Sequence, residues 1–339
     1  MTDRYRQAGV DLDAADAAKR RIVASIQSTR TDLARGALGA FGGMLRLPAD
    51  IPDPVLVMST DGVGTKVLVA IAAGVHDTVG EDLVNHCVND ILVHGARPVA
   101  FLDYIAVAEM DVETVAGLVE GVARGCRAHG MTLVGGETAQ LPDLYHPGHY
   151  DLAGTIVGVV SEAGALHGDR VRPGDVLLGY AASGLHTNGY TLARRIVFGD
   201  LGLEVDSHVA ALGATVGETL LAVHRSYWAA LAPVLGRVHA LAHITGGGIP
   251  GNLSRSLPAG CAADVRFGSW PVPPVFAWMQ EAGRVAPDEM DRVFNMGVGM
   301  IAVVEGADVP TLQAAARAAG VDTWVVGDVA PGEGVRVLR

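Results

Sequence analysis

An apolar, strand-length run that ends in a turn of glycine and polar side chains recurs along this chain, and the sharpest case is Pro54 to Lys66. Pro54 to Thr60 alternates apolar and small side chains, the period of a strand. Ser59-Thr60-Asp61-Gly62-Val63-Gly64-Thr65-Lys66 places Asp61 in the turn, lets Gly62 and Gly64 approach a ligand closely, and closes the loop with Lys66. A carboxylate for a divalent cation, amides for phosphate oxygens and a point positive charge together suit a nucleotide triphosphate. An ordinary glycine turn has the same letters, so the remaining segments must decide.

The same pattern returns three times. Met131 to Val134 is a strand that runs into Gly135-Gly136-Glu137-Thr138, again two permissive glycines and an acid. Asp175 to Ala181 leads to the polar loop Ser183-Gly184-Leu185-His186-Thr187-Asn188-Gly189-Tyr190 and a helix from Thr191 to Val197. Val238 to Ile244 delivers Thr245-Gly246-Gly247-Gly248 to a helix starting near Pro250, where phosphate at the helix N-terminus is physically reasonable. Arg292 to Gly299 enters a strand over Met300 to Val304, with Asn295 at its mouth, then a helix from Val309 to Ala319 and a strand from Thr323 to Val329.

Amphipathic helices separate the strands of the first half. Asp11 to Thr29 is one, followed by a link rich in glycine (Gly36, Gly39, Gly42, Gly43). Thr78 and Glu81 have capping-box spacing at the head of a second, and Gly95 with Pro98 stops it. On its wheel Leu83, Val84, Cys87, Val88, Ile91 and Leu92 fill one half, Asp90 sits at the edge and Asn89 falls on the polar side. Two poor helix formers at mid-helix require a reason. Pro98 to Val107 is a strand, Asp111 to His129 a third helix, and Asp151 to Val160 a further strand. The stretch Glu162 to Gly174 marks a boundary, giving an α/β (α+β) chain of two domains, 1–165 and 166–339.

Composition narrows the partners. With 44 glycines in 339 residues against an average near ~7%, the chain is loop-rich, and half of it is apolar. A net charge of -12 without a basic patch excludes nucleic acid, whose backbone it repels. The start has no apolar core region for a signal peptide, and no run reaches the ~20 apolar residues of a membrane span, so a cytoplasmic protein is expected. Cys87, Cys126 and Cys261 lack C-x-x-C spacing and read as buried thiols.

Asp61, Asp90 and Glu137 come from three distant segments, a pattern that can build one divalent-ion site, and hard oxygen ligands beside phosphates favour Mg²⁺. No Walker motif occurs, so ATP would bind through another architecture. Gly246 to Gly251 matches G-x-G-x-x-G, with Asp264 downstream, and makes a dinucleotide reader the rival; it leaves the three acids of the first half unused. A serine hydrolase is excluded by the lack of a G-x-S-x-G elbow.

The segments TDGVGTK, CVNDILVHGA, LVGGETAQLP, SGLHTNGYTLAR, HITGGGIPGN and FNMGVGM, in this order along nearly the whole chain, resemble the phosphoribosylformylglycinamidine cyclo-ligase (aminoimidazole ribonucleotide synthetase) family. That family shares its fold with selenophosphate synthetases, thiamine-phosphate kinases and hydrogenase-maturation proteins. The reactive N-terminal cysteine of the first and the C-terminal cysteine of the last are missing here. Gln140 stands where the family often has an acid.

The resemblance implies a homodimer whose N-terminal domains pool strands into a β-barrel, with ATP near the subunit interface and an α/β C-terminal domain over the substrate. It implies ATP-dependent closure of formylglycinamidine ribonucleotide to aminoimidazole ribonucleotide. Another ATP-dependent enzyme of the same fold, or a nucleotide-binding dimer without turnover, is the alternative. Thr60, Asp61, Gly62, Gly64, Thr65, Lys66, Asn89, Asp90, Gly135, Gly136, Glu137 and Thr138 are expected around ATP and Mg²⁺, and Ser183, His186, Asn188, Gly246, Gly247, Gly248 and Asn295 around the ribonucleotide. His186, Asp61 and Lys66 are the expected catalytic groups, His186 as a charge stabiliser or as acid and base.

Overall fold

The structure is a computed structural model that describes residues 4–339; the first three residues of the expected N-terminal unit lie outside it. Helix α1 (Leu12–Ser28) starts at Asp11, whose side chain accepts from Ala14 N, and ends at Thr29. Strand β1 (Pro54–Gly62), helix α2 (Asp77–Leu92), strand β2 (Arg97–Val107), helix α3 (Val112–Ala128), strand β3 (Thr132–Gln140) and strand β4 (Tyr150–Ser161) complete the first half. The sheet order is β1-β4-β2-β3, antiparallel except for the parallel pair β2–β3.

Helices α2 and α3 cover one face of this sheet. They approach closely because each offers a glycine: a Cβ on Gly121 would lie 1.9 Å from Asp77 O, and one on Gly80 2.2 Å from Leu118 O. The expected capping box at Thr78 does not form. Helix α2 begins a residue earlier with no side-chain cap, and Glu81 instead accepts from Arg124 of α3 at 2.6 Å.

Two strands are longer than the sequence implied. Pairing with β4 carries β1 through Asp61 and Gly62, so Asp61 lies on the strand itself. Pairing with β2 carries β3 through Gly135, Gly136, Glu137 and Thr138, so this expected turn is sheet, reached through a bulge at Phe101/Leu102. In both cases a paired neighbour overrides the local preference of glycine for turns.

The second half contains β5 (Val176–Ala181), β6 (Val238–His243), β7 (Cys261–Arg266), α4 (Pro274–Gly283), α5 (Pro287–Val293), β8 (Val298–Val304), α6 (Val309–Ala318), β9 (Thr323–Pro331) and β10 (Gly334–Leu338). Its six strands run β6-β8-β5-β9-β7-β10, antiparallel except β7–β10. The antiparallel order removes the dinucleotide-reader rival, which requires a parallel βαβ unit around its glycine loop. Asp264, its ribose-binding candidate, pairs with Arg336 on the neighbouring strand at 2.8 Å.

The two halves share one apolar core that runs from Leu83, Phe101 and Ile156 to Leu185, Phe276 and Met290. They are also joined by buried polar contacts. Lys66, fully buried, pairs with the equally buried Asp82 of α2 at 2.7 Å and donates to Ala222 O at 2.7 Å and His186 O at 3.1 Å. Asp82 in turn accepts from His224 N at 2.6 Å. Asn89, expected on a polar face, is buried because the second half covers that face: it donates to Arg225 O and accepts from Tyr227 N.

No closed barrel forms among the described residues of one chain, because β1 and β3 are the free edges of an open sheet. The face away from the helices exposes Leu56, Met58, Leu102 and Tyr104. All three cysteines are free and buried, and no described helix is long and apolar enough to cross a membrane.

The Lys66–Asp82 pair yields a stability prediction. Lys66→Met strands a buried carboxylate and should cost about 3–5 kcal/mol in urea unfolding. Adding Asp82→Asn removes that charge while keeping an oxygen for His224 N–H, so the double variant should recover at least half of the loss. A double variant no more stable than Lys66→Met would show that the pair does not hold the seam.

Candidate active site

The site lies in the seam, where β1 and α2 of the first half meet the loops 183–188, 222–227 and 245–248 of the second. Asp61 at the end of β1 and Asp90 on α2 converge on one imidazole. His86 Nε2 is 2.8 Å from Asp61 Oδ2 and 3.6 Å from Asp90 Oδ2. The helical spacing i, i+4 puts His86 and Asp90 on one face of α2, beside the strand end that carries Asp61.

Four imidazoles from four segments touch here. His86 Nδ1 meets Thr187 Oγ1 at 2.8 Å, and Thr187 Oγ1 meets His224 Nδ1 at 3.3 Å. His224 Nε2 is 3.1 Å from His243 Nε2, and His243 Nδ1 is 2.8 Å from Asp90 Oδ1. His186 stacks on His224 with ring centroids 4.0 Å apart. The chain of contacts therefore closes between the two carboxylates.

Burial sets the charge of this cluster. It pushes His186 and His224 well below the ordinary histidine value, and neighbouring imidazoles add to the effect. Burial also lowers His243, against the opposing hydrogen bond from Asp90. His86 alone goes up: burial would lower it, but the Asp61 hydrogen bond and the charges of Asp90 and Asp61 outweigh that. For Asp61 burial would raise the carboxyl, and its hydrogen bond and charge interaction with His86 hold it below the usual carboxylate value.

Two adjoining cavities open over these groups and share Asp61, His86 and Thr245. One, of about 550 Å³, also has Asp90 and His243 in its wall. The other, of about 360 Å³, is lined by Gly62, Gly64, Thr187 and Asn188. Asn188 Nδ2 is buried there without a partner, a donor left for a ligand.

The structure rearranges several expected roles. Lys66 does not close the β1 loop as a free charge, because burial against Asp82 and two carbonyls makes it part of the seam. His186 lines neither cavity; it lies behind His224, with Nε2 accepting from Ser183 N at 3.2 Å. His86 and His243 face the groove instead. Glu137 does not join Asp61 and Asp90. It shares a sheet row with Tyr104, Ala153 and Gly62, three strand spacings or about 14 Å from β1.

Other expected residues hold the loops in shape. Ser183 Oγ donates to Val223 O, and Asn295 donates to Gly184 O while accepting from Gly297 N. Thr60 donates to Gly154 O, and Thr65 meets Thr191 at 3.2 Å. In the triple-glycine loop Gly247 N donates to Arg292 O and Gly248 N to Thr245 O, so these amides are not bare. Gly248 is required by packing, since its Cβ would lie 1.7 Å from Asp291 O, and Gly246 lies beside Asn188. Gln140, the departure from the family pattern, accepts from Asp11 N at 3.0 Å and donates to Gly9 O, fastening the N-terminal segment to β3.

His86 and His224 were not singled out from the sequence. No spacing rule joins them, and on α2 a histidine on a buried face has no local signature. Only the docking of the two halves makes them neighbours.

The donor set of Asp61 and Asp90 fits Mg²⁺, since both offer hard oxygens, line the same cavity and leave it room for water and phosphate. Known proteins agree with this architecture. Residues 43–160 match the family model of the AIR synthase related protein N-terminal domain, and residues 172–338 that of its C-terminal domain. The phosphoribosylformylglycinamidine cyclo-ligase of Sorangium cellulosum is 49% identical over 97% of this chain and 96% of its own length. That of Pseudothermotoga lettingae is 44% identical over 97% of both. Two solved structures share the fold at low identity. Thiamine-monophosphate kinase from Stenotrophomonas maltophilia has a TM-score of 0.69 at 19% identity, covering 95% of each chain. Hydrogenase maturation protein HypE in complex with ATP has a TM-score of 0.63 at 21% identity, covering 92% of this chain and 86% of its own. With both halves matched in order and close relatives aligned along nearly the full length, this chain belongs to the phosphoribosylformylglycinamidine cyclo-ligase family of AIR synthase related proteins.

Proposed function

We propose that this chain is the ATP-dependent ligase that closes the imidazole ring of aminoimidazole ribonucleotide in purine biosynthesis, with formylglycinamidine ribonucleotide as substrate and ADP and phosphate as co-products. The observation that carries the reading is the full-length kinship to cyclo-ligases at 49% identity. The seam supports it with two carboxylates, the imidazoles of His86 and His243 beside them, and a cavity that both halves build.

The chemistry needs little covalent help from the protein. An amide oxygen leaves poorly, so the γ-phosphoryl of ATP is transferred to it and ADP departs. The amidine nitrogen of the same molecule attacks the activated carbon, the carbon–oxygen bond breaks, phosphate leaves and the ring nitrogen sheds a proton. Closure is intramolecular, so positioning supplies much of the rate. Asp61 and Asp90 would hold Mg²⁺, which neutralises phosphate charge when bound. His243, fixed at Nδ1 by Asp90, and His86 are placed to take the released proton. Gly62, Gly64 and Asn188 line the adjoining cavity and orient the nucleotide. His186 and Lys66 act from behind, supporting His224 and the seam.

The exposed apolar face of the first sheet supports a homodimer. Met58 is 64% and Leu56 47% exposed on β1, and Tyr104 41% on β2, large apolar side chains on one face of the sheet with β4 between them. Glu137 and Thr60 lie on this face, at the edge of the joint that two copies would make. We place the domain boundary at 165/166, inside the segment that links the sheets, and free buried cysteines suit the reducing cytoplasm.

Turnover tests the reading directly. With formylglycinamidine ribonucleotide, ATP and Mg²⁺ the protein should release ADP and form the aminoimidazole product, and Asp90→Asn should lower turnover about 100-fold or more. ADP release that ignores the ribonucleotide would rule the reaction out. Sedimentation should give a dimer at micromolar concentration, and Met58→Glu should shift it to monomer; a wild-type monomer would remove the joint.

A further inference from the structure

Three members of the seam cluster are close enough to share one ion. The ligand atoms of His86, Asp90 and His243 lie within 4.8 Å of one another. Mg²⁺ takes oxygen ligands and leaves the two imidazoles unused, whereas borderline ions such as Zn²⁺ bind imidazole readily. We propose that His86, Asp90 and His243 form a Zn²⁺ site, set apart from the carboxylate site for Mg²⁺ by its nitrogen ligands and in competition with it for Asp90. Binding of Zn²⁺ stands independently of the ring-closure reading; only its effect on turnover rests on that reading.

Hydrogen bonds behind these residues set which nitrogens are free. Asn89 Oδ1 accepts from Tyr227 N at 3.0 Å, so Nδ2 is the amide atom that faces His224 Nε2, at 3.1 Å, and donates to it. His224 is therefore bare at Nε2 and carries its proton on Nδ1, which donates to Thr187 Oγ1 at 3.3 Å. His243 Nε2, 3.1 Å from that bare nitrogen, must bring a proton of its own. A neutral His243 is then bare at Nδ1, the atom that faces Asp90 Oδ1 at 2.8 Å. Lone pairs this close repel, and the contact needs a proton or a metal ion between them.

The spacing fits a metal ion. A tetrahedral Zn²⁺ with bonds of about 2.0–2.1 Å sets its ligand atoms roughly 3.3–3.4 Å apart. His243 Nδ1 is 2.8 Å from Asp90 Oδ1 and His86 Nε2 is 3.6 Å from Asp90 Oδ2, on either side of that value. His86 and Asp90 stand one turn apart on α2, and His243 ends β6. The nitrogen of each imidazole that points away from the ion already has a partner: His86 Nδ1 meets Thr187 Oγ1 at 2.8 Å, and His243 Nε2 meets His224. Hydrogen bonds of this kind orient the rings of zinc ligands. Asp61 Oδ2, 2.8 Å from His86 Nε2, adjoins the set in the wall of the same cavity, and three protein ligands with a fourth position left to water is a regular zinc arrangement. With Zn²⁺ in place, Asp90 is lost to Mg²⁺ and both imidazole lone pairs are lost to proton transfer.

The test uses the full-length protein with Zn²⁺ and, as its coloured substitute, Co²⁺. Without nucleotide, wild type should bind Zn²⁺ in calorimetry, and Co²⁺ should give the intense visible bands of a tetrahedral ion, which Zn²⁺ then bleaches. X-ray absorption of the Zn²⁺-loaded wild type should show two imidazoles on the metal; one imidazole or none overturns the site without recourse to a variant. His86→Gln and His243→Gln should each weaken Zn²⁺ binding about 100-fold or more, and Thr187→Val, which removes only the partner behind a ligand, about 10-fold. Undiminished binding in the His86→Gln/His243→Gln double variant puts the ion elsewhere on the chain and overturns the proposal, as does the weak absorption of octahedral Co²⁺. In turnover Zn²⁺ should inhibit, a chelator should restore the rate, and added Mg²⁺ should raise the concentration of Zn²⁺ required. Zn²⁺ held by both imidazoles in a protein that closes no ring leaves the site standing and removes the reaction. Ring closure by a wild type that binds no Zn²⁺ does the reverse.

Discussion

The two halves of this protein meet through charge that has been taken out of water. Lys66 and Asp82 are both fully buried, and burial pushes both toward neutrality, lowering the lysine and raising the acid. Their mutual attraction opposes that, but a buried pair is seldom better than an apolar substitute of equal volume. Its effect here is directional. Lys66 selects the carbonyls of His186 and Ala222, and Asp82 selects the amide of His224, so the pair specifies which loops of the second half face α2.

That choice creates the histidine cluster. His186 and His224 are neutral in so buried a setting, and they serve as hydrogen-bonding and stacking groups rather than charges. Their rings wedge His243 and His86 toward the groove, where Asp90 and Asp61 hold them. Buried polar networks of this kind are costly when any member is unpaired, which makes the site as sensitive to seam residues as to groove residues. Thr187 joins His86 to His224, and Asn89 ties α2 to the turn at Arg225 and Tyr227.

Sequence patterns carried the element order because helices and strands leave local marks. The helices read from Asp11 and from Asp111 are there, with those two residues as their N-caps, and the six motifs named the family. Misreadings arose where distant chain overrode local preference. Asp61–Gly62 and Gly135–Thr138 read as turns, yet neighbouring strands pair with them. Asn89 and Lys66 read as polar surface and ligand contact, yet the second half buries both. Strands β7 and β10 and helices α4 and α5 went unread, among proline and glycine that mask their periods. His86 and His224 had no signal at all, because their partners lie on other segments.

The carboxylates of the groove bear on how it can accept an anion. Its first-half wall holds two carboxylates around one imidazole of raised affinity for protons, a place where phosphate is accepted only with a compensating cation. Its lining also includes the exposed side chains of His94, His167 and Arg255. Because the chain carries a net charge of -12, an anion gains no general attraction from the molecule and must be recognised locally. In the glycine loop the Gly247 and Gly248 amides are already bonded to backbone carbonyls, and left-handed Gly247 and close-packed Gly248 set the turn that carries Thr245 to the groove.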